Sequence, residues 1–198
     1  GPTANLKVRQ AMNIAINRDA IKKIVMRNQS DPTGVIMPPF VNGWNETLNK
    51  YPANDLKAAK ALMAEAGYAD GFDIVLNCPN DRYINDAKIA EALAQMLTRV
   101  GIDASVETMT KAVYFSRAST GGPDKSPEFS FMVLGWGAGS GEASSPLKAL
   151  LHTYDKSKGM GAANRGRHSD AKVDKLVQSA LATVDSDKRG KLLAEATE

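Results

Sequence analysis

The chain has 198 residues, of which 43% are hydrophobic and 24% charged, an ordinary composition for a globular protein. Its 25 basic and 22 acidic residues leave a net charge of +3 without a basic block, which argues against nucleic acid as a partner. One cysteine, Cys78, excludes an internal disulfide and a cysteine-cluster metal site, and the two histidines, His152 and His168, stand apart. We therefore expect neither a metal nor a cofactor.

The first third of the chain favours helices separated by an irregular loop. Apolar residues recur at helical spacing over 6–26 and are interrupted at 17–19, which predicts two short helices joined at a capped corner. Residues 28–54 hold four of the nine prolines, a density typical of an irregular loop. Asp55 is then expected to cap a helix that closes at Gly67.

The middle of the chain alternates strands with helices. We predict strands over 72–76, 102–106 and 129–134, because their apolar residues alternate or run continuously between turn residues. Helices are expected over 84–100 and around 112–118, where the apolar spacing changes to that of a helix.

The last part of the chain favours helices near 145–151, over 170–181 and from Lys188 onward. Strands that alternate with helices form right-handed crossovers, so we predict an α/β fold with a small, largely parallel sheet covered by helices. Gly1-Pro2 is typical of a tag remnant, and the last predicted helix reaches the end of the chain without a cap. We therefore expect residues 3–198 to be a piece of a longer protein, truncated within a helix.

The segment 129–147 carries the strongest functional signal. Its apolar run stops at Gly135, and Trp136 then leads a series of glycines that alternate with small residues. Ligands of α/β domains lie outside the carboxyl ends of strands, glycines let backbone amides approach a ligand, and an indole ring offers a flat apolar wall. We expect Trp136, Gly137 and Gly139 to contact a ligand; the alternative is a glycine-rich turn with a tryptophan that fills the core.

Arg82 and Tyr83 occupy a similar place after the first predicted strand. They follow that strand by a few residues and precede a long helix. An arginine there could hold a carboxylate in a two-pronged contact, and a tyrosine could stack or donate a hydrogen bond. The alternative is a solvated arginine and a tyrosine packed on the start of the helix.

Two enzyme-like patterns are incomplete. Ser145-x-x-Lys148 matches one element of penicillin-binding enzymes, but the Ser-Asp-Asn and Lys-Thr-Gly companions are missing, and Ser145 before Pro146 is typical of a helix start. A dinucleotide-binding fingerprint would need glycine at position 142, where Glu142 stands. We predict that the chain is not an enzyme, and a serine acyl-transfer enzyme built on Ser145 and Lys148 is the alternative.

A series of segments follows an order that is more specific than any one of them. The segments are 8–21 (VRQAMNIAINRDAI), 51–52 (YP), 57–68 (KAAKALMAEAGY), 70–72 (DGF), 90–97 (AEALAQML), 100–102 (VGI), 135–136 (GW), 173–176 (VDKL) and 185–193. Over nearly the whole chain, this set resembles the peptide/nickel class (family 5) of ABC-transporter substrate-binding proteins.

The resemblance implies a periplasmic receptor of a Gram-negative cell, or a cell-surface lipoprotein, whose two lobes close over a solute. Such a receptor presents a small molecule or peptide to an ABC permease in the inner membrane. Residues 3–198 would form a single α/β lobe, the C-terminal large lobe of this receptor. The chain would lack the signal peptide, and we expect it to be a monomer. A non-transport interaction domain is a further alternative.

The resemblance also bears on the candidate site. In peptide-binding relatives an aspartate three residues after the tryptophan of the Gly-Trp pair holds the terminal amine of the ligand, and Gly139 stands at that position here. Either Glu142 compensates for the missing carboxylate or the ligand differs. Arg82 and Tyr83 lie where relatives contact a ligand carboxylate.

Overall fold

The computed structural model describes all 198 residues, which divide into two compact units. Unit 1 comprises Gly1–Pro32 and Pro52–Gly135, and unit 2 comprises Thr33–Tyr51 and Trp136–Glu198. The expectation that residues 3–198 form a single lobe stays a prediction. No helix is both long enough and apolar enough to span a membrane.

Unit 1 is built on two parallel strands, β1 (Phe72–Pro79) and β2 (Ile102–Met109), which pair in register over all eight residues. The connecting helix, α4 (Asp86–Thr98), makes the crossover that the alternating pattern predicted. Both strands run three residues beyond their predicted ends, whereas α4 begins two residues later and ends two residues earlier than expected. The small parallel sheet with covering helices is therefore confirmed.

A pair of glycines fixes where the two strands begin. Gly71 and Gly101 both adopt positive φ, at +79° and +89°. A Cβ atom on Gly71 would lie 1.9 Å from the carbonyl oxygen of Gly101, so only glycine fits there. The close approach lets the amide of Phe72 donate to the same carbonyl at 3.1 Å, which sets the register of the pair.

The remaining helices of unit 1 confirm the predictions for the first part of the chain. They are α1 (Leu6–Ala15), the short α2 (Arg18–Ala20) with a π-helical turn over Ile21–Val25, α3 (Leu56–Glu65) and α5 (Lys111–Thr120). Asn17 and Asp55 cap α2 and α3 as expected, since their side chains accept hydrogen bonds from the amides of Ala20 and Ala58. A core of apolar side chains from α1, α3, α4 and the strands lies on one face of the sheet.

The prediction of a third strand over 129–134 is wrong. The segment lies beside β1 but makes a single parallel bridge, between Met132 and Asn77. The amide of Asn77 donates to the Phe131 carbonyl and the amide of Val133 donates to the Asn77 carbonyl, and no further ladder hydrogen bonds extend the pairing. Two hydrogen bonds are too few to form a strand, although the direction of the segment is parallel, as expected.

Unit 2 consists of helices and loops. Its helices are α6 (Ser144–Pro146), continued by a π-helical turn over Leu147–Leu151, α7 (Ala171–Ala182) and α8 (Ser186–Glu195). Asp170 and Asp185 cap α7 and α8 with their side chains. Residues from the π-helical turn, α7 and α8, together with Met37 and Ala143, form one apolar core.

The expectation that Ser145 caps the helix near 145–151 is wrong. The residue that precedes α6 is Ala143, which has no side-chain acceptor, and Ser145 lies within the helix. Ser145 and Lys148 line the same cavity, of about 400 Å³, yet no hydrogen bond joins the Ser145 hydroxyl to the Lys148 ammonium.

Candidate ligand-binding site

The loop between β1 and α4 is held by one buried carboxylate, that of Asp86. Its Oδ2 accepts hydrogen bonds from the amides of Arg82 and Tyr83, both at 3.0 Å, and its Oδ1 accepts one from the amide of Ala87 at 2.9 Å. Burial by itself would raise the pKa of Asp86, but these amides favour the ionised form, and the net effect lowers the pKa. The carboxylate therefore stays charged and fixes the loop that carries Arg82.

We predict that Asp86→Asn destabilises this loop, because an amide side chain has one acceptor oxygen and no negative charge. Losing a buried charge-assisted acceptor is expected to cost about 1–2 kcal/mol. In nuclear magnetic resonance, the amide protons of Arg82 and Tyr83 should exchange faster than in the parent chain. Asp103→Asn, at an exposed position of β2, is the control and should leave both exchange rates unchanged.

The same carboxylate makes the stability of the loop depend on pH. Because the pKa of Asp86 is lowered in the folded chain, its stabilisation is fully present above the ordinary value of 3.8. The stabilisation is lost as the pH falls from there through the lowered pKa. Protection of the Arg82 and Tyr83 amides should decrease over that range, and Asp86→Asn should remove the decrease. A decrease that persists in the variant would contradict the role given to Asp86.

Tyr83 joins this loop to the end of segment 129–134. Its hydroxyl donates a hydrogen bond to the Gly135 carbonyl at 3.2 Å, and the Arg82 guanidinium carbon lies 5.2 Å from the centre of the Tyr83 ring. A Cβ atom on Gly135 would lie 2.6 Å from the ring, so the close packing requires glycine. Within unit 1 the structure thus places Arg82 and Tyr83 together, with the arginine side chain exposed.

Trp136 begins the glycine-rich loop of unit 2 and is 42% exposed. The alternative in which its ring fills the core is therefore wrong. The positions of Gly137 and Gly139 are open, since a Cβ atom at either would meet nothing within 4 Å. No backbone hydrogen bond in the chain uses the amides of these two glycines, so both amides are free to bind a polar atom. Gly141, at φ +70°, closes the loop by donating to the Ala138 carbonyl.

Glu142 has internal partners in unit 2. Its Oε1 accepts from the Arg189 guanidinium at 2.5 Å and from the Asn42 amide at 3.5 Å, and its Oε2 accepts from the Ser144 hydroxyl at 3.0 Å. Desolvation acts to raise the pKa of Glu142, and the hydrogen bonds from Arg189 and Ser144 outweigh it, so the pKa is lowered. These contacts anchor the glycine-rich loop to α8. A role for Glu142 in ligand binding stays a prediction.

Sequence reasoning missed the residues that support the site. Asp86 is one acidic residue among several near a helix start, and Arg189 lies 47 positions from its partner Glu142. No short-range pattern in the sequence could have paired Arg189 with Glu142. No group of three or more His, Cys, Asp or Glu residues could hold a metal ion.

The comparison with protein families gives the class of the protein. A family model, described as bacterial extracellular solute-binding proteins, family 5, middle region, matches residues 1–158. The chain therefore belongs to the family 5 bacterial extracellular solute-binding proteins. The resemblance drawn from the ordered sequence segments is confirmed.

Individual relatives agree with this family. Heme-binding protein A of Haemophilus influenzae is 29% identical over 201 residues, which cover 98% of this chain and 34% of that protein. The dipeptide-binding protein of Escherichia coli is 30% identical over 198 residues, which cover 98% of this chain and 35% of that protein. The structure of HbpA2 from Haemophilus parasuis matches with a TM-score of 0.87 at 26% identity and covers 100% of this chain and 37% of that one.

These comparisons confirm the fold as one found in solute-binding proteins. The family and the named relatives are binding proteins. The chain spans about a third of the length of the relatives that it matches.

Proposed function

We propose that this chain carries part of the solute-binding surface of a receptor that serves an ABC importer. The observation that supports the proposal most directly is the glycine-rich loop of unit 2, where a 42% exposed indole is followed by two glycines with free amides and open space above them. An accessible aromatic ring beside unused backbone donors is suited to a ligand that has both an apolar and a polar part.

In this proposal Trp136 forms an apolar wall and the amides of Gly137 and Gly139 bind polar ligand atoms. The exposed Arg82 guanidinium, on the loop fixed by Asp86, pairs with an anionic group of the ligand. The receptor performs no bond chemistry. Solute that contacts both lobes stabilises the closed state, because it binds that state more tightly than the open one.

The solute is a small molecule, most simply a peptide or peptide-like compound. Binding of dipeptides by a relative supports this class, and the name of another relative shows that the family also includes a heme-binding protein. At Gly139 the chain offers no carboxylate, and the acceptor oxygens of Glu142 already have partners. A ligand recognised through a free amine at this loop is therefore not part of the proposal.

The receptor is proposed to act in the periplasm, or at the cell surface as a lipoprotein, as a monomer that docks on its permease. Membership of an extracellular solute-binding family supports this location. The alternative of a serine acyl-transfer enzyme has no support from the structure, since Ser145 and Lys148 are not joined by a hydrogen bond. The alternative of a non-transport interaction domain has none either.

Mass spectrometry of the small molecules that co-purify with the full-length receptor tests the proposal. Denaturation releases the bound fraction, and one peptide or peptide-like solute is expected in near-stoichiometric amount. The released solute should rebind the refolded receptor in a titration. A released compound that fails to rebind, or covalent modification of Ser145 by a β-lactam, would contradict the proposal.

A further inference from the structure

A separate groove in unit 1 lies between the π-helical turn Ile21–Val25 and the start of α4. It encloses about 450 Å³, a volume within the range of small-molecule sites. Two aliphatic side chains on its walls, Ile24 and Ile84, are each 78% exposed, and Val25 and Met26 add further apolar surface. Exposed aliphatic side chains gathered at one groove indicate a surface that is covered when something binds.

The backbone around the groove is held in an unusual conformation. Arg27, Asn28 and Asn85 adopt positive φ, at +49°, +60° and +57°, although none of them is glycine. The side-chain amide of Asn85 donates a hydrogen bond to the Val25 carbonyl at 3.1 Å, which ties the start of α4 to the π-helical turn. Both walls of the groove are therefore fixed relative to one another before any ligand arrives.

The charged side chains that line the groove are all basic. Arg27 and Lys88 line it together with the neutral Gln29 and Asn85, and no carboxylate lines it. The neighbouring carboxylate of Asp86 is buried and accepts hydrogen bonds from backbone amides instead. Neither cation has an ion-pair partner in the chain, so both are available to an external anion.

We propose that this groove binds a small amphipathic carboxylate. The apolar part of the ligand covers Ile24 and Ile84, and its carboxylate lies between Arg27 and Lys88. The inference goes beyond the proposed function, since it needs neither Trp136 nor the glycine-rich loop. Two kinds of molecule combine an apolar group with a carboxylate in this way, namely a peptide that ends in an apolar residue and a free alkyl carboxylate.

Titration of the chain with N-acetyl-L-leucine, followed by amide chemical shifts, tests the proposal. Saturable shifts of residues 24–29 and 84–88 are expected at millimolar probe. N-acetyl-L-leucinamide, which differs by the loss of the negative charge, should bind more weakly. Octanoate separates the two sources: tighter binding of N-acetyl-leucine identifies a peptide terminus, and equal or tighter binding of octanoate identifies an alkyl carboxylate.

Lys88→Gln provides the matched variant, because Lys88 is exposed and makes no ion pair within the chain. We expect about fivefold weaker binding of N-acetyl-leucine, since an exposed ionic contact contributes about 1 kcal/mol. Lys57→Gln, at an exposed position in the first turn of α3, should bind as the parent does. Equal binding of the neutral amide, or no saturable shift of residues 24–29 and 84–88, would overturn the proposal. Trp136→Ala should leave this titration unchanged, so failure here and failure of the proposed function are distinguishable.

Discussion

Trp136→Ala and Arg82→Ala, made separately in the full-length receptor, are each expected to weaken solute binding at least about tenfold, which corresponds to about 1.4 kcal/mol. Trp136 is the exposed aromatic surface of the glycine-rich loop, and its removal leaves the apolar part of the solute in water. Arg82 supplies a charge on a loop whose backbone is already fixed, so little ordering opposes its contact.

Isothermal titration with the solute recovered from the receptor measures both effects. Phe40→Ala is the control for Trp136, since Phe40 is a fully exposed aromatic residue of the same unit. Arg99→Ala is the control for Arg82, since Arg99 is an exposed arginine of unit 1 at the end of α4. Unchanged affinities in both test variants, or equal losses in the controls, would remove this site assignment.

Local signals in the sequence were sufficient for most helices and for the paired strands. Asn17, Asp55, Asp170 and Asp185 cap the helices that follow them, because a side-chain acceptor at that position satisfies otherwise unpaired amides. The boundaries of β1 and β2 were set too short. Pairing with the neighbouring strand extends them into Asn77 and Glu107, which no apolar pattern marks.

Segment 129–134 shows where a local signal fails. Its apolar run satisfies the pattern of a buried strand, yet a strand also needs a partner with a matching ladder, and here only Asn77 pairs with it. Phe129 instead packs with Tyr114 and Ala118 of α5. Phe131 and Val133 pack in the cluster that holds Leu76 and Cys78 of β1. The apolar run is thus explained by burial of its side chains, which periodicity alone does not distinguish from strand pairing.

The sequence predicted the exposed residues of the candidate site, but it did not predict the residues that hold them in place. Glycines and an aromatic residue after an apolar run are visible in the sequence. The hydrogen bonds of Asp86 are local and span at most four positions. The ion pair of Arg189 with Glu142 and the contact of Tyr83 with Gly135 join positions 47 and 52 residues apart, so only the tertiary structure could reveal these two contacts.

Gly135→Ala is expected to displace the Tyr83 ring. The new methyl group would lie 2.6–3.0 Å from three ring atoms, and relief of that overlap requires a shift of either the ring or segment 129–134. Overpacking of this kind costs about 1–3 kcal/mol. We therefore expect a lower melting temperature, together with weaker solute binding in the full-length receptor, because Arg82 lies over the displaced ring.

Gly137→Ala is the matched control, since a methyl group there meets nothing within 4 Å and should leave the melting temperature unchanged. The Tyr83→Ala background identifies the cause of the lost stability. If overlap with the ring is responsible, Gly135→Ala should cost almost nothing in a chain that already carries Tyr83→Ala, and a double-mutant cycle would show strong coupling between the two positions. Additive losses would mean that Gly135 is needed for its own backbone conformation, and the link between this glycine and the Arg82 loop would then be wrong.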